Sequence, residues 1–533
     1  MGLAFRYSAK MDDGKILLLY SKIWVGLLLL PTAFRNSKVA AKNIEHVQRR
    51  KLATENPGFI SIDCGVDDDY FDGVTGIFYK SDKDFISTGT NKVVASEYTS
   101  THPYFGRQLN SLRMFPEGKR NCYTLKPNQG KNHNYNIRIF FYYGNYDFKN
   151  QSQGFDLYLG VNYWASVVVK DRPWEYYSII QYSLTDTIHV CLINTGFGVP
   201  FISGLDLRYL NDSSYRIETG ISLGPVVQAN LGGDPTQRII RVFRMGFIDG
   251  VVVMENVFAE YRMLYPSQVE GLEVKESLYF KLAKAFGFLA HLTDTIKKPW
   301  FLDPRRACHQ LLKNPLNRLI VFQFMLRYKD DVYDRIWWQF NLSKSVPIST
   351  TTSIDVQGSE DPYRLPAEVL ITAVRPGNGT NSLSYSYTYP YKVNFTPEFL
   401  FYFHFAEIEQ IAQGQVREFT ITLNGIKDGP FTLEYLKPLT IHPNKSVQGD
   451  HVNFSIDATS RSDLPPILNA FEIFAVWSLP VSPTNQADVD AIMAIKKTYG
   501  IDRADWQGDP CLPITTWTGL NCNSDNPPRI ISL

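Results

Sequence analysis

Three short, strand-like segments recur in the same order along the chain at a nearly constant distance. Several of them alternate apolar and polar residues, the pattern of a strand with one buried face. The matching segments are IFFYYG (139–144) and YFHFAE (402–407), GFDLYLG (154–160) and EFTITLN (418–424), and PFISGLDL (200–207) and PILNAFEI (466–473). Their starting positions differ by 263, 264 and 266 residues. This spacing predicts a tandem duplication of one β domain.

The composition also favours a mainly β protein. Aromatic residues make up 14% of the chain, including 31 Tyr and 34 Phe, and such residues favour half-buried pleated surfaces. A length of 533 residues allows about three or four domains of roughly 100–200 residues each. Because 54 Lys and Arg balance 53 Asp and Glu, we expect no nucleic-acid partner.

The N-terminal region, residues 1–56, contains one apolar run, IWVGLLLLPTAF (23–34). Its length of about a dozen residues is typical of the apolar part of a signal peptide, whereas a membrane-spanning helix needs about 20 residues. We therefore interpret residues 1–56 as a signal or signal-anchor segment with a linker. A wrongly assigned gene start is the alternative.

A further segment separates the two copies, because the first recognisable unit ends near residue 215. Residues 221–325 show apolar periodicity of helical length, contain four of the eight methionines and have no glycosylation sequon. One explanation is a helical insertion domain. The other, which we favour because the N-terminus is also atypical, is a translated intron or another gene-model artefact.

Sequons and cysteines both indicate an exporting compartment. Seven Asn-x-Ser/Thr sequons lie in the β regions, at Asn150, Asn211, Asn341, Asn378, Asn394, Asn444 and Asn453. The six cysteines are too few to build the scaffold but suit a few disulfides. The pairing of the first four stays open from sequence; they are Cys64, Cys122, Cys191 and Cys308.

After Leu479 the pattern changes to a short amphipathic helix. The segment PTNQADVDAIMAIKKTYG (483–500) offers Thr484 or Asn485 as the N-cap and Gly500 as the C-terminal stop. It leads into GDPCLPITTWTGLNC (508–522).

Eight ordered motifs closely resemble the plant malectin-like ectodomain of leucine-rich-repeat receptor-like kinases. They are GFISIDCG (58–65), GIFYKSDKDFISTG (76–89), LRMFPEGKRNCYTL (112–125), YYGNYD (142–147), FDLYLGVNYW (155–164), VCLINTGFGVPFISGLDLRYL (190–210), DDVYDRIWW (330–338) and FHFAEIE (403–409). The resemblance implies two tandem malectin-like β-sandwiches of jelly-roll type, at 57–220 and 326–480, with the atypical insertion 221–325 between them.

The C-terminal residues 481–533 resemble the junction of this family into its leucine-rich repeats. The junction motif consists of Gly508, Asp509, Pro510 and Cys511, and WTGLNC follows it. The resemblance implies a small α-helical N-terminal cap closed by a disulfide between Cys511 and Cys522. It also implies that RIISL begins the first repeat. A metal site is disfavoured here because no His or second cysteine pair stands nearby.

Other polar groups do not form an enzyme signature. The acidic stretch DCGVDDDYFDG (63–73) lacks the ligand spacing of a calcium loop, and we interpret it as a solvated loop. His404 and Glu407 lack the second His of a zinc helix and lie on a predicted strand, where packing is expected. Neither a nucleophile elbow nor a phosphate-binding loop is present. We therefore expect no catalysis, cofactor or metal.

Aromatic residues of the first β region have two interpretations. They could stack on sugar rings, as in carbohydrate-binding sandwiches, or they could pack within the sheets, which we favour. The candidates are Tyr142, Tyr143, Tyr146, Trp164 and Trp174. No sugar-binding residue of animal malectin is recognisable in this sequence, so the ligand-binding residues stay unassigned.

The resemblance implies the extracellular ligand-recognition region of a receptor-like protein at the plant plasma membrane. Its expected partners are a carbohydrate or peptide ligand and a co-receptor kinase, with membrane attachment through the N-terminal segment or a C-terminal span beyond Leu533. The alternative is a secreted or anchored lectin-like protein that binds the cell wall, or acts as a decoy, without signalling output.

Overall fold

The chain forms two units in the computed structural model. The structure describes residues 58–99, 105–169, 175–215, 217, 219–233, 237–248, 251–262, 325–354, 356, 361–377, 380–390 and 395–533. The first unit comprises Met1–Gly224 and Val476–Leu533, and the second comprises Pro225–Ala475. Several predictions lie outside the described residues: the N-terminal segment 1–56, the apolar stretch 274–324, Cys308, Asn378, Asn394 and Trp174.

The first unit begins with thirteen strands. They are β1 (Ile60–Asp63), β2 (Tyr70–Phe71), β3 (Phe78–Ser81), β4 (Thr90–Val93), β5 (Ser111–Met114), β6 (Arg120–Leu125), β7 (His133–Phe141), β8 (Gln153–Leu159), β9 (Asn162–Val169), β10 (Glu175–Ser183), β11 (Ile188–Asn194), β12 (Phe201–Ile202) and β13 (Gly204–Leu210). Two single-turn 3₁₀ helices, η1 (Asp82–Asp84) and η2 (Ser96–Tyr98), connect some of them.

These strands form the layers of a β-sandwich. One sheet has the order β2-β3-β1-β13-β7-β10, a second has the order β6-β11-β8-β9, and a small third sheet has the order β12-β5-β4. Leu157 and Leu159 of β8 are buried while the intervening Tyr158 is half-buried, as strand alternation requires. They share one apolar core with Ile137 and Ile139 of β7 from the opposite sheet.

Three strands follow in the segment for which helical or irregular structure was expected. They are β14 (Ile221–Leu231), β15 (Gln237–Ile248) and β16 (Val251–Arg262), and β15 pairs with β16 in an antiparallel hairpin. The expectation is corrected for these residues. The sequence is rich here in β-branched Val and Ile, which favour strands over helices.

The second unit continues with twelve strands and one short helix. They are β17 (Met325–Leu326), β18 (Trp337–Phe340), β19 (Ser345–Ser349), α1 (Ala367–Leu370), β20 (Thr372–Pro376), β21 (Ser382–Thr388), β22 (Glu398–Phe405), β23 (Glu418–Leu423), β24 (Ile426–Thr432), β25 (Leu439–Ile441), β26 (Val447–Gln448), β27 (His451–Ala458) and β28 (Ala470–Ser478). Ala229 of β14 pairs in parallel with Trp338 of β18.

The second unit is also layered. β22 pairs with β28 and β25, while a second sheet has the order β21-β27-β23-β24. Phe403 of β22 meets Phe454 of β27 at 4.9 Å between ring centroids, so aromatic rings fill the space between the sheets. The repeated segments occupy β7, β8, β12 and β13 in the first unit and β22, β23 and β28 in the second.

The first unit ends with helix α2 (Gln486–Tyr499) and a short hairpin of β29 (Asn521–Cys522) and β30 (Ile530–Ser532). We call residues 484–533 the junction module. Across the described part of the chain, no helix combines the length and apolar character needed to span a membrane.

Candidate functional site

Helix α2 contributes apolar side chains to the core of the junction module. Asn485 is the N-cap, and its side-chain oxygen accepts a hydrogen bond from the first turn. Gly500 ends the helix with a φ of 60°, a left-handed conformation that glycine adopts without a steric penalty. Ile492 packs against Trp506 and Trp517, so the helix and the following loop share one small core.

The junction motif is organised around the buried carboxylate of Asp509. The backbone N–H groups of Thr484, Cys511 and Leu512 donate to it at 2.8, 2.9 and 3.0 Å, and the Thr484 hydroxyl also donates to it. Cys511 and Cys522 form a disulfide. A carboxylate that accepts several hydrogen bonds holds the helix start and the disulfide loop in one fixed arrangement.

Gly508 packs directly against a second disulfide, which joins Cys122 of β6 to Cys191 of β11. A Cβ atom at Gly508 would lie 2.7 Å from the Cys122 sulfur and 3.3 Å from the Cys191 sulfur. Its φ of 64° also lies in the left-handed region. Only glycine allows this close approach. The neighbouring Gln507 accepts a hydrogen bond from the Cys122 N–H at 2.9 Å.

Arg120 makes the second polar contact between β6 and the junction module. Its guanidinium donates to the carbonyl oxygens of Leu512 and Pro513, the latter at 3.3 Å. Burial lowers the pKa of Arg120, and the charges of Asp509 and Asp505 oppose that shift. Since β6 is an edge strand of its sheet, the junction module covers the part of its edge at Cys122, next to the part that Phe85 already covers by accepting from the Thr124 N–H at 3.0 Å.

An open cavity of about 490 Å³ lies where the first sandwich meets the junction module. We call it the junction cleft. Its walls come from β1, β3, η1, β6 and α2 and from the loops beside them. The lining residues are Gly58, Phe59, Ile60, Lys80, Lys83, Asp84, Phe85, Ile86, Ser87, Cys122, Thr124, Lys126, Asn128, Lys496, Trp506 and Gln507.

The junction cleft is cationic. Lys80, Lys83 and Lys126 are exposed, and Lys496 is half-buried. Asp84 is the single carboxylate among the lining residues. The excess of positive charge is therefore local, since the chain as a whole has a net charge of only +1.

These lysines were not among the candidate residues taken from sequence. Lys80 and Lys496 lie near opposite ends of the chain, so no local motif joins them. The one sequence signal nearby is the junction motif, which lies beside Gln507.

The acidic stretch 63–73 divides into exposed and buried parts. Asp67, Asp68 and Asp69 are exposed, as a solvated loop requires. Asp63 is buried, and it accepts hydrogen bonds from Tyr70 at 2.5 Å and from Ser111 at 2.7 Å. Burial raises the pKa of Asp63 to about 8, although both hydrogen bonds oppose the shift. The described residues contain no cluster that could hold a metal ion.

His404 and Glu407 are buried in the second unit on and beside β22. The Nε2 of His404 lies 3.1 Å from Glu472, and its Nδ1 lies 2.9 Å from the Thr440 hydroxyl. Glu407 forms an ion pair with Arg417 at 2.8 Å. Burial alone would raise the pKa of Glu472, but its hydrogen bonds with His404 and Gln228 and the nearby charge of Arg335 together outweigh burial and hold the pKa below its usual value.

The aromatic candidates for sugar stacking lie mostly in the core. Tyr143, Tyr146 and Trp164 are buried, with 7%, 5% and 7% of their surface exposed, and they belong to the apolar cluster of the first sandwich. Tyr142 is partly buried against it. Neighbouring side chains therefore cover the rings of the three buried residues, whereas Tyr142 stays partly exposed.

The sequons that the structure describes are all accessible. The exposed asparagines are Asn150, Asn211, Asn341, Asn444 and Asn453. Of the first three cysteines, Cys122 and Cys191 are paired while Cys64 is a buried free thiol.

The chain is similar to plant receptor kinases over most of its length. It is 35% identical over 493 residues to the "Probable LRR receptor-like serine/threonine-protein kinase At1g05700" of Arabidopsis thaliana, with 90% of this chain and 46% of that protein aligned. It is 32% identical over 491 residues to the "Putative leucine-rich repeat receptor-like protein kinase At2g19210" of the same plant, with 90% and 45% aligned. The chain thus spans less than half the length of these relatives.

Matches among solved structures include FER in complex with the peptide RALF23 and LLG2, at 13% identity and a TM-score of 0.49, covering 79% of this chain and 96% of that one. The ANX2 ectodomain of Arabidopsis thaliana matches at 11% identity and a TM-score of 0.49, covering 79% and 97%. The family model of the malectin-like domain matches residues 62–244 and 313–476, more than half of the chain. The chain therefore belongs to the malectin-like family, and its relatives are the ectodomain parts of plant leucine-rich-repeat receptor-like kinases.

Proposed function

We propose that this chain is the extracellular ligand-recognition region of a receptor-like protein at the plant cell surface. The observation that carries the proposal is the alignment of 90% of the chain with the ectodomain part of receptor kinases. The two disulfides suit an oxidising compartment, and exposed sequons suit glycosylation there. The proposed role is non-enzymatic.

We place ligand recognition in the junction cleft. Two parts of the first unit that are distant in sequence form its walls, so a ligand there would contact the sandwich and the junction module together. The sandwich side offers Lys80, Lys83 and Lys126, while Lys496 lines the module side. A molecule bound across both walls would stabilise their docked arrangement. Ligand binding in the cleft would in this way change how firmly the C-terminal junction module is held on the sandwich.

Localisation of the full chain tests the cellular part of this proposal. A fluorescent protein fused after Leu533 should follow the secretory pathway and label the cell surface or the surrounding wall. The same chain without its first 56 residues is the matched control and should stay in the cytosol. Cytosolic localisation of both forms would contradict the proposal.

Transcript sequencing separates the receptor from the lectin-like alternative. Reads that continue past Leu533 into repeats, a membrane span and a kinase would support a signalling receptor. A stop codon directly after Leu533 would favour a secreted, wall-binding or decoy protein. Reads that pass from about residue 220 to about residue 326 would support the gene-model interpretation of the insertion, and continuous reads would overturn it.

A further inference from the structure

We propose that the junction cleft binds an acidic peptide segment, whose Asp or Glu carboxylates pair with the lysines of the cleft. This inference rests on the proposed function of the cleft as the ligand site and specifies the chemical class of the ligand. The lysines come from three separate places on the sandwich and one on the module: Lys80 on β3, Lys83 on η1, Lys126 after β6 and Lys496 on α2.

The sandwich lysines have unused charge. Among the described residues, Lys80, Lys83 and Lys126 form no ion pair, although the same unit contains well-formed pairs such as Arg113 with Asp82 at 2.6 Å. Lys496 is partly engaged, because its ammonium donates to the Trp506 carbonyl at 2.8 Å. Three exposed ammonium groups around one concave surface attract an anionic ligand and are available to pair with it.

Two of the three aromatic residues of the cleft already pack against other side chains of the protein. The guanidinium of Arg208 lies 4.4 Å from the ring centre of Phe59. Trp506 is buried and stacks on Trp517 with 5.0 Å between ring centres. The half-buried Phe85 is the one remaining ring, so the cleft offers a neutral carbohydrate little aromatic surface compared with the four lysines it offers an anion.

The other polar groups of the cleft suit a peptide backbone. Ser87 and Asn128 are exposed on the sandwich side, whereas the Gln507 amide on the module side is already engaged with the Cys122 N–H, the Thr88 hydroxyl and the Ala504 carbonyl. Hydroxyl and amide groups both donate and accept hydrogen bonds, as an extended peptide requires. Charge would then select acidic side chains, while the Asn128 amide and the Ser87 hydroxyl would bind the main chain between them.

Direct binding measurements with the secreted, glycosylated chain test this inference. The probe is a synthetic decapeptide of alternating Glu and Gly, and its Gln–Gly counterpart is the neutral control. Calorimetry should show binding of the acidic peptide only. Its affinity should fall steadily as sodium chloride is raised from about 20 to about 300 mM, because the Debye length shortens from roughly 20 to 6 Å over that range.

Two matched triple variants locate the binding. Lys80→Gln, Lys83→Gln and Lys126→Gln together should weaken the acidic peptide by about 3- to 100-fold, since each exposed ion pair contributes roughly 1.5- to 5-fold. The control triple is Lys92→Gln, Lys131→Gln and Lys149→Gln. These lysines are exposed elsewhere on the same unit, so the control should bind the acidic peptide as tightly as the unchanged chain does. Equal weakening by both triples would show attraction by net charge alone and would overturn the inference.

A third probe, an oligogalacturonide of similar charge, covers the other source of carboxylates. Binding of the oligogalacturonide but not of the peptide would overturn the inference in favour of an acidic polysaccharide. If neither the acidic peptide nor the oligogalacturonide binds, the inference is also overturned. A chain that reaches the cell surface but binds neither probe would refute only the ligand class, whereas cytosolic localisation would refute the proposed function itself. Unchanged thermal unfolding of both triples checks that they are folded.

Discussion

Replacing Gly508 with alanine should loosen the junction module from the first sandwich. Two separate effects act at this position. The φ of 64° is unfavourable for any residue with a Cβ, which costs about 1–2 kcal/mol. The added Cβ would also lie 2.7 Å from the Cys122 sulfur, and forcing a methyl group into such packing costs about 1–3 kcal/mol. Gly508→Ala should therefore destabilise the docked module by about 2–5 kcal/mol.

Gly500 provides a matched control within the same module. Its φ of 60° is nearly the same, but a Cβ built there would meet no atom within 4 Å. Gly500→Ala should therefore show the backbone cost alone, about 1–2 kcal/mol. The difference between the two variants isolates the contact with the disulfide.

Hydrogen exchange measured by mass spectrometry is the suitable assay, because it reports local opening of the module separately from unfolding of the rest of the chain. Peptides covering 505–523 and the edge strand β6 should exchange faster in Gly508→Ala than in Gly500→Ala. Equal exchange in the two variants would refute the close packing of Gly508 on the Cys122–Cys191 disulfide.

Three further changes test other parts of the structure. Burial raises the pKa of Asp63 from 3.8 to about 8, so the folded chain holds a proton that the unfolded chain releases. The free energy of unfolding should consequently fall by up to about 1.4 kcal/mol per unit as the pH rises between those values, and Asp63→Asn should remove this fall. Denaturant midpoints measured between pH 6.5 and 8 report this fall without interference from His189, whose pKa burial lowers to about 4. Parallel pH profiles for the unchanged chain and Asp63→Asn would contradict the prediction. Gln507→Ala leaves the Cys122 N–H without its acceptor and should cost about 1–3 kcal/mol in local stability, seen as faster exchange at β6, whereas the exposed Gln486→Ala should change little there. Enzymatic removal of N-glycans should lower the mass of the secreted chain and mark the exposed sequons as Asp; an unchanged mass would argue against passage through the secretory pathway. These sites are Asn150, Asn211, Asn341, Asn444 and Asn453.

The mainly β fold and the family were predictable from sequence, and both predictions are confirmed. Both rest on local information. Alternation in stretches such as FDLYLGV reports which side of a strand is buried, whatever lies beyond it. Ordered motifs carry the family resemblance in the same local way.

The junction cleft could not be predicted because no single stretch of sequence contains it. Lys83 follows β3, Lys126 follows β6 and Lys496 lies on the last helix, and only tertiary packing brings them to one surface. The junction motif itself was visible, but its contact with Cys122 and Cys191 was not, since glycine gives no sequence signal of what it approaches.

Burial of individual polar and aromatic groups was equally hard to foresee. Asp63 and Asp67 belong to one acidic stretch, yet the first is buried under Tyr70 and Ser111 while the second is exposed. Tyr143 and Trp164 are buried although their residue types also suit a sugar-binding surface. Some of the neighbours that bury them come from strands distant in sequence, such as Ser111 for Asp63 and Phe201 for Tyr143.

The docking of the chain's end onto β6 also determines the order in which the protein can be built. Cys191 is synthesised 69 residues after Cys122, so that disulfide can form early. Gln507, which covers the same strand, follows Cys122 by 385 residues, about 20–80 s of translation at typical rates of roughly 5–20 residues per second. Throughout that interval this strand edge is only partly covered, because Phe85 already accepts a hydrogen bond from the Thr124 N–H whereas the Cys122 N–H has no acceptor until synthesis reaches the junction module.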